Sequence, residues 1–400
     1  GMAVFDLMDI EQLEVLRGPQ GTLFGKNTTA GVINISTRAP TFTPERSIET
    51  SVGEDGYFQT KGTVSGPLND QLAGRFSAYR TRSDGDIKNE FDGHDLNGGS
   101  REGLRGQLLF KPNESFNLRW IGDYNEEDSS AGTRVLYNTG PTINGVNVYQ
   151  ARANAAGATL VNGSHRKVNL DNDQHVTVHQ GGTSVEANWT LPSDFTLTSI
   201  SSYRWWNFTP RNDDGLNVAA TYNAGVSVED KQYSQEFRLA SPKGEFFDYV
   251  LGAYYFGNDL DNKTFANYGP QADIWNGTPA GALANVNSVG NGHIKTDSFA
   301  LFAQGTWHLS ERLDFTAGVR GTYEQKNAWV TRDAPEGGAA VTGAAATARR
   351  GRAGAYDSGD LNQYSSSPSG LLNLSYRFND DLLGYATLSH GEKSGGVNLA

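Results

Sequence analysis

The chain has 400 residues, of which 33 are Lys or Arg and 45 are Asp or Glu, so its net charge at pH 7 is −12. This balance argues against a nucleic-acid-binding protein, because such proteins carry basic patches. The lack of cysteine excludes a disulfide framework, a thiolate zinc site and a cysteine nucleophile. No run of eighteen apolar residues predicts a transmembrane helix. A membrane β-barrel stays open, because its strands alternate lipid-facing and lumen-facing side chains.

The first forty residues differ from the rest of the chain. Glycines interrupt the stretch from Asp9 to Pro40 at short intervals, and it is too irregular for a pair of barrel strands. The sequence therefore divides into a first unit over 1–44 and a second over 45–400. Gly1-Met2-Ala3 opens without the charged and apolar regions of a signal peptide, so we expect either a removed signal or a fragment.

From about residue 48 onward one unit repeats: an alternating segment of about ten residues, a short polar turn, a second alternating segment and a long polar loop. Short turns are predicted at 67–70, 112–115, 192–194, 242–245, 310–312 and 379–381, where Pro, Asn, Asp and Ser favour chain reversal. Long loops are predicted near 84–100, 127–182, 208–227, 259–294 and 328–361. Short turns that alternate with long loops are typical of a transmembrane barrel, with the turns on the periplasmic side.

The faces of the predicted strands can be read from their alternation. In 313–324 one face carries Leu313, Phe315, Ala317, Val319 and Tyr323, and the other carries Asp314, Thr316, Arg320, Thr322 and Glu324. A soluble β-sandwich would alternate in the same way. Segments of about fourteen residues at 228–241 and 295–308 favour a membrane, because soluble strands average about five or six residues. We predict an all-β fold, a transmembrane antiparallel β-barrel.

The number of strands bears on whether the barrel is complete. We count about thirteen strands between 48 and 390, and 391–396 predicts the start of another external loop. Bacterial single-chain barrels have even strand numbers, and an open edge in lipid leaves backbone groups unpaired. We therefore expect 48–390 not to form a sealed barrel and the chain to be an internal piece of a larger protein.

Within residues 9–40 three motifs follow in order: Glu14-Val-Leu-Arg-Gly-Pro19, Gly21-Thr-Leu-Phe-Gly25 and Gly31-Val-Ile-Asn-Ile35. This segment resembles the distal half of the plug domain of TonB-dependent outer-membrane receptors, and 234–241 and 385–396 resemble barrel segments of that family. The resemblance implies a 22-stranded barrel occluded by a plug, of which the TonB box, the first plug half and about nine strands are missing here. It also implies active import of bulky nutrients, most often ferric siderophores, with energy from TonB.

The resemblance points to plug-motif residues at these positions: Glu14, Arg17, Gly18, Pro19, Gly21, Gly25, Gly31 and Asn34. Inside a lumen a guanidinium requires carboxylate partners, because a buried unpaired charge is costly. Strand alternation places Glu236 and Glu324 on lumen faces. We hypothesise that Arg17 holds the plug to one of these two glutamates; pairing of Arg17 with Glu14 inside the plug is the alternative.

Other candidate sites are weaker. The stretch Gly21–Lys26 has three residues between its glycines and Asn after the lysine, so it does not match a phosphate loop. His175 and His179, with His165 in the same predicted loop, lack a further ligand, and we predict solvated residues and no metal site. Aromatic residues of the predicted loops could bind an aromatic or hydroxamate chelate, or form part of the interfacial girdle: Tyr137, Tyr149, Trp275, Trp329 and Tyr356.

These observations predict a non-enzymatic protein of the bacterial outer membrane, in contact with its lipid, that imports a ferric siderophore. The chelate is the transported ligand rather than a cofactor. The expected partner is the TonB–ExbB–ExbD complex, acting through the missing plug segment. Cobalamin or an oligosaccharide is an alternative cargo, and a passive porin-like channel, a barrel adhesin or a secreted soluble β-enzyme is an alternative class.

Overall fold

The computed structural model describes residues 8–130, 132–161, 163, 166–172, 174–213 and 215–399, with the backbone alone described at 223. The elements of this part of the chain are, in order, β1 (Ile10–Arg17), α1 (Gly21–Phe24), β2 (Gly31–Thr37), β3 (Glu45–Val52), β4 (Phe58–Asn69), β5 (Leu72–Ser83), β6 (Ile87–Asn89), β7 (Asp95–Leu96), β8 (Gly99–Asn113), β9 (Phe116–Ser129), α2 (Val148–Ala156), β10 (Lys167–Val168), β11 (His175–Thr190), β12 (Thr196–Asn212), β13 (Thr221–Ala240), β14 (Phe247–Tyr268), α3 (Ala272–Asn276), β15 (Val286–Ser310), β16 (Leu313–Arg332), β17 (Glu336–Gly337), α4 (Gly343–Ala353), β18 (Tyr356–Asp357), β19 (Leu361–Asn379) and β20 (Leu382–His390).

One large antiparallel sheet dominates the described chain. Its strands lie side by side in sequence order, and β3 and β20 are its edges. The order is β3, β4, β5, β8, β9, β11, β12, β13, β14, β15, β16, β19 and β20. These are thirteen strands, as the sequence predicted. The two edge strands do not pair within the described residues, so the expectation that 48–390 is not a sealed barrel is confirmed.

Short turns join the strands at one end of the sheet, and all six predicted turns are confirmed. Three of them are built alike. The side-chain oxygen of Asn69, Asn113 and Asn379 accepts a hydrogen bond from the backbone N–H two residues later, at 2.9, 3.0 and 3.0 Å. Asparagine mimics a backbone turn in this arrangement, which explains why the residue ends a strand at each place.

At the opposite end the strands run further than their alternation predicted. β13 to β16 have 20, 22, 25 and 20 residues. The predicted loop at 259–294 is therefore partly wrong, because β14 continues to Tyr268 and β15 begins at Val286. Near the loops both faces of these strands carry polar residues, so the period-two signal that identifies a strand disappears.

The apolar face of the sheet is exposed and the polar face is buried, which is the reverse of the arrangement in a soluble protein. On the apolar face, Leu301 and Val319 are 71% and 64% exposed, whereas on the polar face Arg320 and Glu324 are 6% and 3% exposed. The alternation predicted over 313–324 is confirmed. An apolar surface of this extent is stable where hydrocarbon surrounds it, as in a membrane barrel.

The long loops pack into small clusters of their own. Ala153 of α2 lies in one cluster with Leu216 and Ala220, against which Trp275 of α3 packs. A second cluster joins α3 to Leu283, with α4 packed against it, and a third joins β6, β7 and β10. Among the described helices none is long and apolar enough to cross a membrane.

A cation placed on the apolar face tests what surrounds it. Leu301→Arg, in the middle of the apolar band, is expected to lower the free energy of unfolding by about 2–4 kcal/mol, the cost of Arg at a bilayer midplane. Asn327→Arg, on the same face near the loops, is the matched control and should cost about 0–1 kcal/mol. Urea unfolding in lipid vesicles measures both, and equal costs would contradict a lipid-facing wall.

Candidate functional site

Residues 8–44, here called the inner segment, lie against the polar face of the large sheet. β1 and β2 pair antiparallel, with Leu13 opposite Ile35 and Val15 opposite Ile33. The sheet side chains that bond to this segment include Arg75, which is buried and polar. The polar face, from here on the inner face, is therefore the one that the segment covers.

The first anchor of the inner segment joins Asp9 to Arg75 of β5. Arg75 Nη2 and Nε donate to the two carboxylate oxygens of Asp9 at 2.5 and 2.6 Å, and Ser77 Oγ donates to the same group at 3.1 Å. The side chains of Arg75 and Asp9 are 3% and 5% exposed. Burial alone would raise the pKa of Asp9, but the hydrogen bond and charge of Arg75 outweigh it and hold this pKa below its usual value. Such a bidentate pair fixes geometry as well as charge.

Two further arginines hold the backbone near this anchor. Arg105 Nη1 of β8 donates to the carbonyl of Met8 at 3.0 Å. Arg119 Nη2 of β9 and Gln107 Nε2 of β8 both donate to the carbonyl of Arg38, at 3.2 and 3.1 Å. The beginning and the end of the inner segment are thus bound to neighbouring strands of the sheet.

The second anchor begins with two glycines around α1. A Cβ atom at Gly21 would lie 2.8 Å from Ser369 Oγ, and one at Gly25 would lie 3.2 Å from Arg320 Nη2. Gly25 also has φ +81°, a conformation that other residues rarely adopt. These positions let the backbone of the loop 21–27 approach β16 and β19 closely.

A charged cluster completes the second anchor. Lys26 contacts the carboxylate of Glu324 on β16, and Lys326 Nζ lies 3.3 Å from the same carboxylate. Burial lowers the pKa of Lys26 to about 8, and the positive charges of Lys326 and Arg320 add to this effect. One buried carboxylate therefore serves two ammonium groups, one from the inner segment and one from the sheet.

The segment after β20 also reaches the inner segment. Asn27 N–H donates to the carbonyl of Glu392 and Asn27 Oδ1 accepts from Ser394 N–H, both at 3.0 Å. Asn262 Nδ2 of β14 donates to the carbonyl of Leu399 at 3.3 Å. As predicted, 391–396 contains no strand, and its backbone finds partners on Asn27 of the inner segment; that it begins an external loop stays a prediction.

A cavity of about 330 Å³ lies between the loop of the inner segment and strands β13 to β16. Its lining includes Phe24 and Lys26 from the segment and Glu236, Tyr254 and Arg320 from the sheet. The cavity brings hydrogen-bonding and charged groups of both units together.

The structure assigns other partners to the groups of the predicted Arg17 contact. In the described ranges Arg17 forms no ion pair with Glu14, Glu236 or Glu324. Glu236 pairs instead with Arg238 of its own strand at 3.1 Å, and Glu324 is held by the lysines of the second anchor. The glycine-containing loop after β1, rather than β1 itself, supplies the cation that contacts Glu324, and a latch through Arg17 stays a prediction.

The remaining motif residues shape the inner segment itself. Asn34 Nδ2 donates to Glu14 at 2.8 Å across the β1–β2 pair. Gly18 N–H donates at 3.2 Å to the carbonyl that precedes β2, and Gly31 is opposite the last residue of β1. Pro19 lies beside Gly391, where a Cβ atom on the glycine would be 3.1 Å from the Cβ atom of Pro19.

The predicted loop aromatics fall into three environments. Tyr149 of α2 and Trp275 of α3 pack edge to face, with ring centroids 4.9 Å apart. Trp329 lies in β16 rather than in a loop, on the strand face that also carries Val319. Tyr137 and Tyr356 are exposed at the loop end of the molecule. A role of these residues in ligand binding stays a prediction.

The histidines of the predicted loop lie in a strand. His175 and His179 belong to β11. Nδ1 of His179 lies 3.0 Å from the hydroxyl of Tyr124, and Nδ1 of His175 lies 3.4 Å from a carboxylate oxygen of Asp128. His165 lies outside the described residues. His179 thus has a hydrogen-bonding partner on the neighbouring strand, whereas His175 forms its hydrogen bond with Thr177 of its own strand.

A group that sequence analysis missed brings possible metal ligands together. Among the described side chains, Asp259, Asp261 and His293 have ligand atoms within 4.8 Å of one another. Strand pairing places Lys295 opposite Asp259, which balances part of the negative charge. The group lies on the outer face, away from the inner segment.

An apolar outer face, a charged inner face and a chain segment bound across that inner face define a membrane β-barrel with part of its own chain inside. The model of the family "TonB dependent receptor-like, beta-barrel" matches residues 119–400. The chain belongs to this family of non-enzymatic outer-membrane receptors. The predicted family, fold class, location and lack of enzymatic activity are confirmed.

Several known proteins resemble this chain. The pesticin receptor of Yersinia enterocolitica is 24% identical, over 98% of this chain and 50% of its own length. The ferric yersiniabactin uptake receptor FyuA from Yersinia pestis superposes with a TM-score of 0.77 at 21% identity, over 98% of this chain and 54% of that one. The ferric-catecholate import receptor Fiu from E. coli K12, in its open form, gives 0.72 at 12% identity, over 98% and 61%. The chain spans about half the length of the curated relatives it matches.

Substitution of Lys26 or Arg17 distinguishes the observed contact of Lys26 with Glu324 from the predicted contact of Arg17. Lys26→Gln should lower the protection of residues 20–30 against hydrogen exchange by about 1–3 kcal/mol, because it weakens the compensation of a buried carboxylate. Arg17→Gln, the matched control, should change it by less than about 0.5 kcal/mol, as for a residue without a specific interaction. A larger loss with Arg17→Gln would favour the Arg17 contact.

Removal of one partner of the first anchor leaves the other charge buried. Asp9→Asn and Arg75→Gln are each expected to destabilise docking of the inner segment by about 3–5 kcal/mol. The double variant is expected to destabilise it by less than the sum of the two single effects. The coupling should be present at pH 7 and fade below about pH 4, since the lowered pKa of Asp9 stabilises the folded state above its unfolded pKa.

The same double-mutant cycle on Arg80 and Glu102 is the control for the first anchor. These exposed side chains lie 3.8 Å apart on the outer face, where a surface pair contributes about 0–1 kcal/mol. Hydrogen exchange of residues 8–44 as a function of pH should show coupling for Asp9 and Arg75 and no effect of the control cycle on docking. Additive effects of Asp9 and Arg75 would contradict the first anchor.

Proposed function

We propose that these residues are part of a receptor that actively imports a ferric siderophore across the outer membrane, coupled to the TonB–ExbB–ExbD complex. The observation that carries this proposal is the inner segment, which is bound to the inner face at two charged anchors. A bulky ligand passes such a barrel only when those contacts are broken and formed again. A passive channel would gain nothing from a bound obstruction, and this favours an energy-coupled importer.

We assign 1–44 to the C-terminal part of a plug domain and 45–400 to the N-terminal part of the barrel. The boundary is supported by the start of β3 at Glu45, where the chain leaves the inner segment and joins the large sheet. On the β1–β2 pair, Leu13, Val15, Ile33 and Ile35 are exposed. This apolar stripe favours coverage by further plug residues.

Ferric siderophores are the proposed cargo because FyuA and Fiu are described as receptors for ferric yersiniabactin and ferric catecholates. Tyr137 and Tyr356, exposed on the loop side, are proposed to contact the chelate by stacking and hydrogen bonds. Cobalamin is a second candidate, since the vitamin B12 transporter of Vibrio vulnificus is 29% identical over 28% of this chain.

The proposed cycle has three steps. The external loops capture the chelate while the inner segment stays bound at both anchors. TonB then pulls on plug residues outside this sequence, and the pull breaks the contacts of Lys26 and Asp9 with the wall. After release of the cargo the charged groups pair again, because an inner segment that stays detached leaves buried charges of the sheet without compensation.

Uptake measurements test the proposal directly. Cells that lack the gene, and the same cells complemented with it, are supplied with radioactive iron bound to catecholate, hydroxamate or carboxylate chelators under iron limitation. We expect accumulation of one chelate class to require both the gene and TonB. Uptake that continues without TonB would indicate a passive channel, and uptake of cobalamin alone would indicate the second cargo.

A further inference from the structure

We propose that Arg320 and the loop of the inner segment form a binding site for a small oxyanion, such as inorganic phosphate or a carboxylate group. The site is the cavity of about 330 Å³ between this loop and strands β13 to β16. It does not depend on which nutrient the receptor imports.

The first argument is the state of Arg320. Its side chain is buried, and its Nε donates to Thr322 Oγ1 at 3.1 Å. Within the described ranges no carboxylate lies within 4 Å of the guanidinium. The rings of Tyr254 and Phe302 lie 5.5 and 5.3 Å from its central carbon, and aromatic rings compensate only part of a buried charge. The two terminal nitrogens therefore remain as donors toward the cavity.

The second argument is the balance of charge around the cavity. Lys26 and Lys326 share one carboxylate, that of Glu324, and Arg320 adds a third positive charge to the same region of the inner face. The other carboxylate of the lining, Glu236, is paired with an arginine of its own strand. The cluster therefore has an excess of positive charge. A bound anion would supply the missing negative charge.

The third argument is the shape of the site. Gly25 places bare backbone beside Arg320 Nη2, where a Cβ atom would lie at 3.2 Å and cover this nitrogen. The cavity of about 330 Å³ is far larger than the space of about 10–15 Å³ that one water molecule needs on the same measure, so a phosphate or acetate ion fits with water around it. The planar fork of a guanidinium binds two oxygens of such an ion at once.

The chemistry of the neighbours is consistent with an oxyanion. Ser298 and Thr322 contribute hydroxyl groups to the lining, and Lys26 contributes an ammonium group from the inner segment. An ion bound to both Arg320 and Lys26 would join the sheet to the loop of the inner segment. The second anchor would then hold more tightly in the presence of the ion.

Equilibrium dialysis of the whole purified protein in detergent against labelled inorganic phosphate tests the site. We expect saturable binding of one phosphate per protein, with displacement by acetate if carboxylates share the site. Arg320→Gln should weaken binding at least tenfold. Arg101→Gln, which removes an inner-face arginine already paired with Glu127 at 3.2 Å and outside the cavity lining, is the matched control and should leave binding within twofold of the wild type.

A second variant guards against loss of folding. Arg320→Lys keeps the charge but not the planar fork, and we expect binding to weaken several-fold while the protein stays folded. Hydrogen exchange of residues 20–30 should slow with phosphate in the wild type and not in either Arg320 variant. Absence of saturable phosphate binding in the wild type, or unchanged binding in both Arg320 variants, would overturn the proposal.

Discussion

The structure depends on one constraint: thirteen strands expose apolar side chains on one face and bury charged side chains on the other. Leu301 and Val319 face outward, while Arg75, Arg320 and Glu324 lie covered on the inner face. A charge buried on the inner face is compensated by the sheet itself, by the chain that lies against it or, as we propose for Arg320, by a bound ion. The contacts of Asp9 and Lys26 follow from that requirement.

The two anchors differ in a way that bears on function. The first is a bidentate pair in which each charge has its partner, with Glu45 as an additional acceptor. The second has two lysines on a single carboxylate, with Arg320 beside them at a cavity and the segment 391–399 nearby. If the proposed oxyanion binds there, the second anchor is the more adjustable of the two, because the ion would change its balance of charge.

Much of the fold could be predicted from the sequence, since alternation identifies a strand wherever one face is apolar, as in 313–324, and asparagine and proline mark the short turns. The prediction failed where this signal vanishes. The polar ends of β14 and β15 next to the long loops were predicted as loop, and Trp329 was placed in a loop instead of in β16. For the site, alternation placed Glu324 on the inner face. The choice of Lys26 over Arg17 depends on the close approach of Gly21 and Gly25, a three-dimensional property that spacing does not encode.

Spin labels on single cysteines test the central arrangement most directly, because the chain has no cysteine of its own. A label at Leu301 should collide freely with oxygen dissolved in the bilayer and hardly at all with a water-soluble nickel complex. A label at Thr22, buried between the inner segment and the sheet, should be shielded from both reagents. A label at Leu301 that is shielded from oxygen, or one at Thr22 that is open to the nickel complex, would contradict a lipid-facing wall with the inner segment inside it.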